Sequence, residues 1–271
     1  MNKRNYPFAE VNVWLARAEE TPIFLPSQPK LDQVAAACAL SAALTKAGKA
    51  APVISPEPLK VEFSQIYGID KVSEEIKGKI FVVNIDYSLD YIEKISWDDR
   101  ERKVSLLIQP KAGAPTITPQ MVSFANRGGE LQNLIAFGFD NLNELEKVLR
   151  QLLPTPPDLN KLEILNINLN EMATFGQLKV VDGGASSYAE IVAALAEGLS
   201  LPLGEEEASN LLLGLKVATD SFSDPKTSPD AFEAAAFCLR RGGRFPSFSQ
   251  APTATNFNPP KIYRGSGVSE G

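Results

Sequence analysis

FGQLKVVDGGASSYAEIVAALAEGL, residues 175–199, and LLLGLKVATDSF, residues 211–222, decide how this chain is read. Gln177 to Asp182 reads as a short strand ending in an acid. Gly183 and Gly184 then suit the positive φ values that a tight strand-to-helix turn often needs. Ser187 followed three residues later by Glu190 is a capping box, and Ile191, Val192, Leu195 and Leu199 form an apolar stripe at helical spacing. A helix start of this kind offers free N–H groups and the positive end of the helix dipole, so Ser186 and Ser187 mark a candidate phosphate site. The same two serines also read simply as caps.

Working outward, Glu205 to Thr219 predicts a second helix, with three glutamates in its first turn where the dipole favours negative charge. Leu211, Leu212, Leu215 and Val217 bury it. Asp220 follows directly in Ala-Thr-Asp-Ser-Phe, where an acid next to an apolar helix either serves a site or caps the following turn. Ser228 and Pro229 read as N-cap and first residue of a third helix that stops at Gly242 and Gly243.

Strands are predicted at Ile23 to Leu25, Pro52 to Ser55, Ile80 to Ile85, Val104 to Ile108, Leu134 to Phe139, Leu162 to Ile167 and Leu178 to Val181, with helices between many of them. Runs apolar on both faces imply an α/β fold with a mainly parallel, doubly covered sheet. Ligands gather at the C-terminal strand ends of such sheets, where Asp86, Asp140 and Asn168 fall. Residues 1–243 read as one large domain. Residues 244–271, with Pro246, Pro252, Pro259 and Pro260, read as an extended or disordered tail, and Lys261 to Gly265 form a small basic-aromatic patch within it. Pro154, Pro156 and Pro157 mark a loop.

A 44% hydrophobic fraction in 271 residues supports a sizeable core. The polar start lacks an apolar signal segment, and no apolar run approaches membrane length, so a cytoplasmic protein without a membrane partner is expected. Phe8 and Trp14 lie in an amphipathic start that predicts a helix packed on the body or on a partner. Cys38 and Cys238 sit in apolar helices and read as buried thiols. A net charge of −6 gives no general attraction to nucleic acid, so such binding has to be local. The chain contains no histidine.

Phe175-Gly176, the Val-Asp-x-x-Ala-Ser-Ser-x-Ala-Glu-Ile-Val run from Val181 to Val192, and Gly214 through Thr219-Asp220-Ser221-Phe222 resemble the DHH phosphoesterase superfamily. The branch they look most like is that of the oligoribonucleases and 3′-phosphoadenosine 5′-phosphate phosphatases. That resemblance implies a Rossmann-like domain in which aspartates and histidines of four motifs hold two Mn²⁺ ions that activate a water. The family's first motif, His-x-Asn-Pro-Asp-Gly-Asp-Ala, corresponds to Pro26-Ser27-Gln28-Pro29-Lys30-Leu31-Asp32-Gln33. Pro26 replaces the histidine, Lys30 replaces the first aspartate, and only Asp32 remains as a ligand. Lys30 repels a metal ion but suits a phosphate. For the second motif Asp140 matches the family's order better than Asp86. The namesake Asp-His-His is replaced by Asn168, Leu169 and Asn170, and asparagine beside carboxylate is a poor Mn²⁺ ligand. Asp220 matches the fourth motif. The glycine-rich, histidine-containing second domain has no counterpart after residue 243.

By this reading Asp32, Asp140 and Asp220 are a vestigial metal set, or hold a single Mn or Mg ion, and Lys30, Ser186 and Ser187 hold phosphate. Two metals about 3.5–4 Å apart need more ligands than three carboxylates supply. The expected function is a catalytically inactive relative that keeps a nucleotide or phosphate pocket, takes a short single-stranded nucleic acid, or serves as an interaction module through a protein partner or a homo-oligomer. The rival is an active phosphoesterase with a carboxylate-only, single-metal site.

Overall fold

The computed structural model describes residues 5–18, 20–76, 80–99, 103–127, 131–153 and 157–245. The proposed tail beyond residue 245, its basic-aromatic patch, Pro154 and Pro156 lie outside them. In chain order the elements are α1 (Phe8–Arg17), β1 (Ile23–Phe24), α2 (Leu31–Lys46), β2 (Val53–Ile54), β3 (Ile80–Ile85), β4 (Ile92–Asp98), β5 (Ser105–Pro110) and β6 (Val122–Arg127). They continue with β7 (Asn133–Phe137), α3 (Leu142–Leu152), β8 (Glu163–Asn168), β9 (Leu178–Val181), α4 (Tyr188–Gly198), α5 (Glu205–Ala218) and α6 (Pro229–Leu239).

Five strands form one parallel sheet in the order β2-β1-β7-β8-β9. Alternation along each strand feeds two separate cores. Ile23, Ile135, Phe137, Leu165 and Ile167 face one side, where they meet Val34, Leu40, Ile191, Leu195 and Leu212 from α2, α4 and α5. Phe24, Leu134, Ala136 and Ile164 face the other, where Leu145, Val148 and Leu149 of α3 cover them. Each such side chain contributes about 1.5–3 kcal/mol by leaving water. The predicted doubly covered α/β sheet is therefore present. The chain leaves β1 for α2 on the larger core and leaves β7 for α3 on the smaller one, so the switch point at which such sheets form a ligand crevice falls between the ends of β1 and β7.

Two of the predicted strands lie elsewhere. Ile80 to Ile85 pairs antiparallel with β6, and Ser105–Pro110 pairs antiparallel with β4, each pair forming its own two-stranded ladder. The apolar content of these runs was a sound sign of strand but carries no information on which sheet they join. Asp86, at the end of β3, therefore belongs to this excursion and not to the central sheet, which leaves Asp140 as the acid after a central strand.

The turn after β9 also differs from expectation, because neither Gly183 nor Gly184 has positive φ. The Asp182 carboxylate closes it instead, accepting the N–H groups of Gly184 at 2.9 Å and Ala185 at 3.1 Å. α1 forms as predicted, burying Val11, Trp14 and Leu15, and Gly198 of α4 leaves room for Phe8. Cys38 and Cys238 are buried and free, and burial pushes both thiols up to about 12. Among the described residues no helix is long and apolar enough to cross a membrane.

Candidate functional site

The Asp32 side chain, on the first turn of α2, points away from solvent. Its Oδ2 accepts the Tyr188 N–H at 2.7 Å and its Oδ1 accepts the Ala189 N–H at 3.1 Å. The anion at the start of α4 is thus the protein's own carboxylate, placed where the helix dipole favours negative charge. Burial pushes the Asp32 carboxyl up to about 7, against the pull of the two N–H bonds and of Lys30. Gly214 makes this approach possible, because a Cβ there would lie 2.6 Å from Asp32 Oδ1 and 2.9 Å from Ala189 Cβ.

The two serines complete the same joint. Ser187 is fully buried and its hydroxyl accepts the Glu190 N–H at 3.0 Å, which is the predicted N-cap. Glu190 reaches back one residue further than a standard box, accepting the Ser186 N–H at 2.7 Å and the Ser228 hydroxyl at 2.7 Å. Ser186 Oγ in turn accepts the Ser228 N–H at 2.6 Å. The starts of α4 and α6 are locked together through Ser186, Ser228 and Glu190, and Ser228 also caps α6 as the sequence predicts.

At the crevice, the amide of Asn168 stands at the end of β8. Its Nδ2 donates to the Phe139 carbonyl at 2.6 Å, while its Oδ1 accepts the Asn170 N–H at 2.9 Å and the Tyr188 hydroxyl at 3.2 Å. This amide ties the end of β8 to the end of β7. A carboxylate could not donate to that carbonyl. Asn170 Nδ2 donates to Asp140 Oδ1 at 3.3 Å, and the Asp140 N–H is taken by Glu144 at 2.9 Å. Gln33 bridges the other wall. Its Oε1 accepts the Lys30 N–H at 2.7 Å and its Nε2 donates weakly to the Gly138 carbonyl at 3.4 Å. Gly138 has φ of 81°, and a Cβ there would collide with the Gln33 amide and the Tyr188 hydroxyl. Burial pushes the Tyr188 phenol up to about 12, so it stays a proton donor.

Asp220 is exposed, at φ of 46°, and Ser221 and Phe222 after it also have positive φ, at 58° and 67°. Three such residues in a row are uncommon for non-glycine side chains. Thr219 holds the turn, donating to the Leu215 carbonyl at 2.6 Å and accepting the Phe222 N–H at 3.0 Å. Lys30 is exposed just before α2.

The predicted residues thus fall into two sets, with Asp220 apart from both in its exposed turn after α5. Asp32, Ser186 and Ser187 surround the start of α4, and Lys30 and Asp140 border the crevice. No group of three or more acidic, cysteine or histidine side chains that could hold a metal ion occurs among the described residues. The donor set does not fit a pair of Mn²⁺ ions, since both Asp32 oxygens are spent on backbone N–H groups and the Asn168 amide is turned to a carbonyl. Gln33, Gly138 and Tyr188 escaped the sequence reading. Gln33 carried a signal, as a glutamine at the third position of a helix, where it reaches back to the cap. Tyr188 carried a weaker one, as a hydroxyl on an otherwise apolar helix start.

A parallel sheet in this order, with an open switch point, defines a Rossmann-like α/β domain. The same fold occurs in an exopolyphosphatase-related protein from Bacteroides fragilis, at a TM-score of 0.59 and 14% identity, with 88% of this chain covered. This chain spans 57% of that protein's length. A putative family II inorganic pyrophosphatase from Methanococcus jannaschii superposes more loosely, with a TM-score of 0.44, 14% identity, and coverage of 82% of this chain and 56% of the other. The first of these likenesses shows the fold, in line with the α/β architecture expected from the sequence. No family model and no curated protein sequence matches the chain.

Proposed function

We propose that the chain is a degenerate DHH phosphoesterase-like protein that binds a nucleotide or other phosphate-bearing ligand at the β1/β7 crevice without hydrolysing it. The observation that carries this reading is the pair of hydrogen bonds that Asp32 accepts from the start of α4, which makes a structural joint of a residue that the resemblance marks as a metal ligand. Asn168 supports it in the same way. The family's acid is replaced by an amide whose donor is used within the fold. What remains at the crevice mouth is a cation, Lys30, on the positive end of the α2 dipole, beside a rim of amides. A phosphate suits the cation, and the Asn170 amide suits a base or sugar hydroxyl.

The test pairs binding with turnover. Calorimetry with 3′-phosphoadenosine 5′-phosphate and with inorganic phosphate is expected to show binding that Lys30→Glu weakens at least tenfold. Release of phosphate or mononucleotide in the presence of Mn²⁺ or Mg²⁺ is expected to be no greater than for Asp32→Asn or Asp220→Asn. Turnover abolished in both variants would establish the active carboxylate-only enzyme instead.

A further inference from the structure

The excursion between β2 and β7 is a nested β arm. Its outer ladder, β3–β6, is prolonged by the Asp86 N–H donating to the Met121 carbonyl at 2.8 Å. Its inner ladder, β4–β5, is prolonged by the Lys111 N–H donating to the Tyr91 carbonyl at 2.9 Å. None of its strands joins the central sheet, and no side chain of Phe81 to Ile85, Ile92 to Asp98, Ser105 to Pro110 or Val122 to Phe124 is buried. Two-stranded ladders are marginal in water without a covered apolar face.

Each ladder has an apolar face that stands uncovered. Val83 lies opposite Phe124 and Ile85 opposite Val122, so these four side chains and Phe81 share one side. Phe81, Val83 and Phe124 are 63%, 39% and 67% exposed, and the two rings stack at 5.6 Å. On the inner ladder Ile95 opposite Ile108 and Trp97 opposite Leu106 build a second apolar side, with Trp97 70% exposed.

We infer that this arm is a homodimer interface, in which the apolar faces of two arms stack against each other about a two-fold axis. Three features point to a second copy. The exposed large apolar side chains amount to on the order of 700 Å² per arm, close to the roughly 800 Å² that each partner contributes to a standard interface. The two faces contain no charged residue, so superposing identical copies of a chain with net charge −6 brings no like charges together. Two two-stranded ladders stacked face to face give the sandwich that one ladder alone lacks. Charges stand instead on β4 as Glu93, Lys94 and Asp98, next to a bulge between Ile92 and Lys94, and blunt that edge against open-ended strand pairing.

Sedimentation equilibrium of the full chain at micromolar concentration tests this, with far-UV circular dichroism as the folding control. The wild type is expected to be a dimer, and Phe81→Glu with Phe124→Glu to raise the dissociation constant at least a hundredfold at unchanged helix content. Leu107→Asp, on the opposite side of the inner ladder, is expected to leave the dimer intact. A monomeric wild type, including one that joins a dimer only through a different protein, overturns the inference. So does a dimer indifferent to the double substitution, or one that Leu107→Asp disrupts equally.

Discussion

Asp32 and the pair Asp140 and Asp220 occupy three positions that the DHH resemblance marks as metal ligands, yet the fold treats them in opposite ways. Asp32 is buried and spends both oxygens on the backbone of α4, at the meeting point of α2, α4 and α5. Asp140 and Asp220 are exposed, one in a weak side-chain bond to Asn170 and the other in a left-handed turn. The difference shows how the fold itself holds an acid in place. A carboxylate that also satisfies buried N–H groups becomes part of the frame, while one at the rim contributes little to it.

The largest expected effect separates the two regions by pH. An acid whose folded value is raised stabilises the protein below its unfolded value and loses that contribution as pH rises through the folded one. For Asp32, at about 7 against an ordinary 3.8, the loss between pH 4 and pH 7 amounts to roughly 4 kcal/mol. Denaturation across this range should show wild type falling relative to Asp32→Asn by about that amount. A parallel course for Asp32→Asn would mean that the carboxyl titrates as if solvated.

Next comes Asp32→Ala, which leaves the Tyr188 and Ala189 N–H groups without an acceptor. At about 1–3 kcal/mol for each buried orphan, a loss of roughly 3 kcal/mol in urea unfolding is expected. Asn168→Asp then sharpens the comparison from the crevice side. It places an acid at that position but sets a carboxylate against the Phe139 carbonyl, so a loss of about 2 kcal/mol is expected, with no gain of metal affinity. The smallest effect belongs to the rim, where Asp140→Ala and Asp220→Ala should each change stability by less than about 1 kcal/mol. A loss at Asp220 as large as that at Asp32 would break the distinction.

Much of the frame was legible in the sequence. The five central strands, the caps Ser187 and Ser228, and the helices from Glu205 and Pro229 stand where the apolar periodicity and cap residues put them. The arm was misplaced because β3 and β5 look like buried strands when only composition is read. Their exposure is a tertiary fact. At the site, the resemblance marked Asp32 and the composition showed no histidine, but neither told which way Asp32 points. That direction depends on Gly214, a residue on another helix that leaves space for a carboxylate. The amide network around Asn168 joins β7, β8 and α4, and such joins across distant segments leave no local pattern.

The most direct test of the central claim is a Mn²⁺ titration of the full chain by calorimetry, beside Asp32→Asn. With Asp32 committed to α4, no saturable binding tighter than about 100 μM is expected for either protein, since the remaining carboxylates are rim groups. Tight binding by the wild type that disappears in Asp32→Asn would show that the carboxylate turns outward to a metal, and would contradict the account.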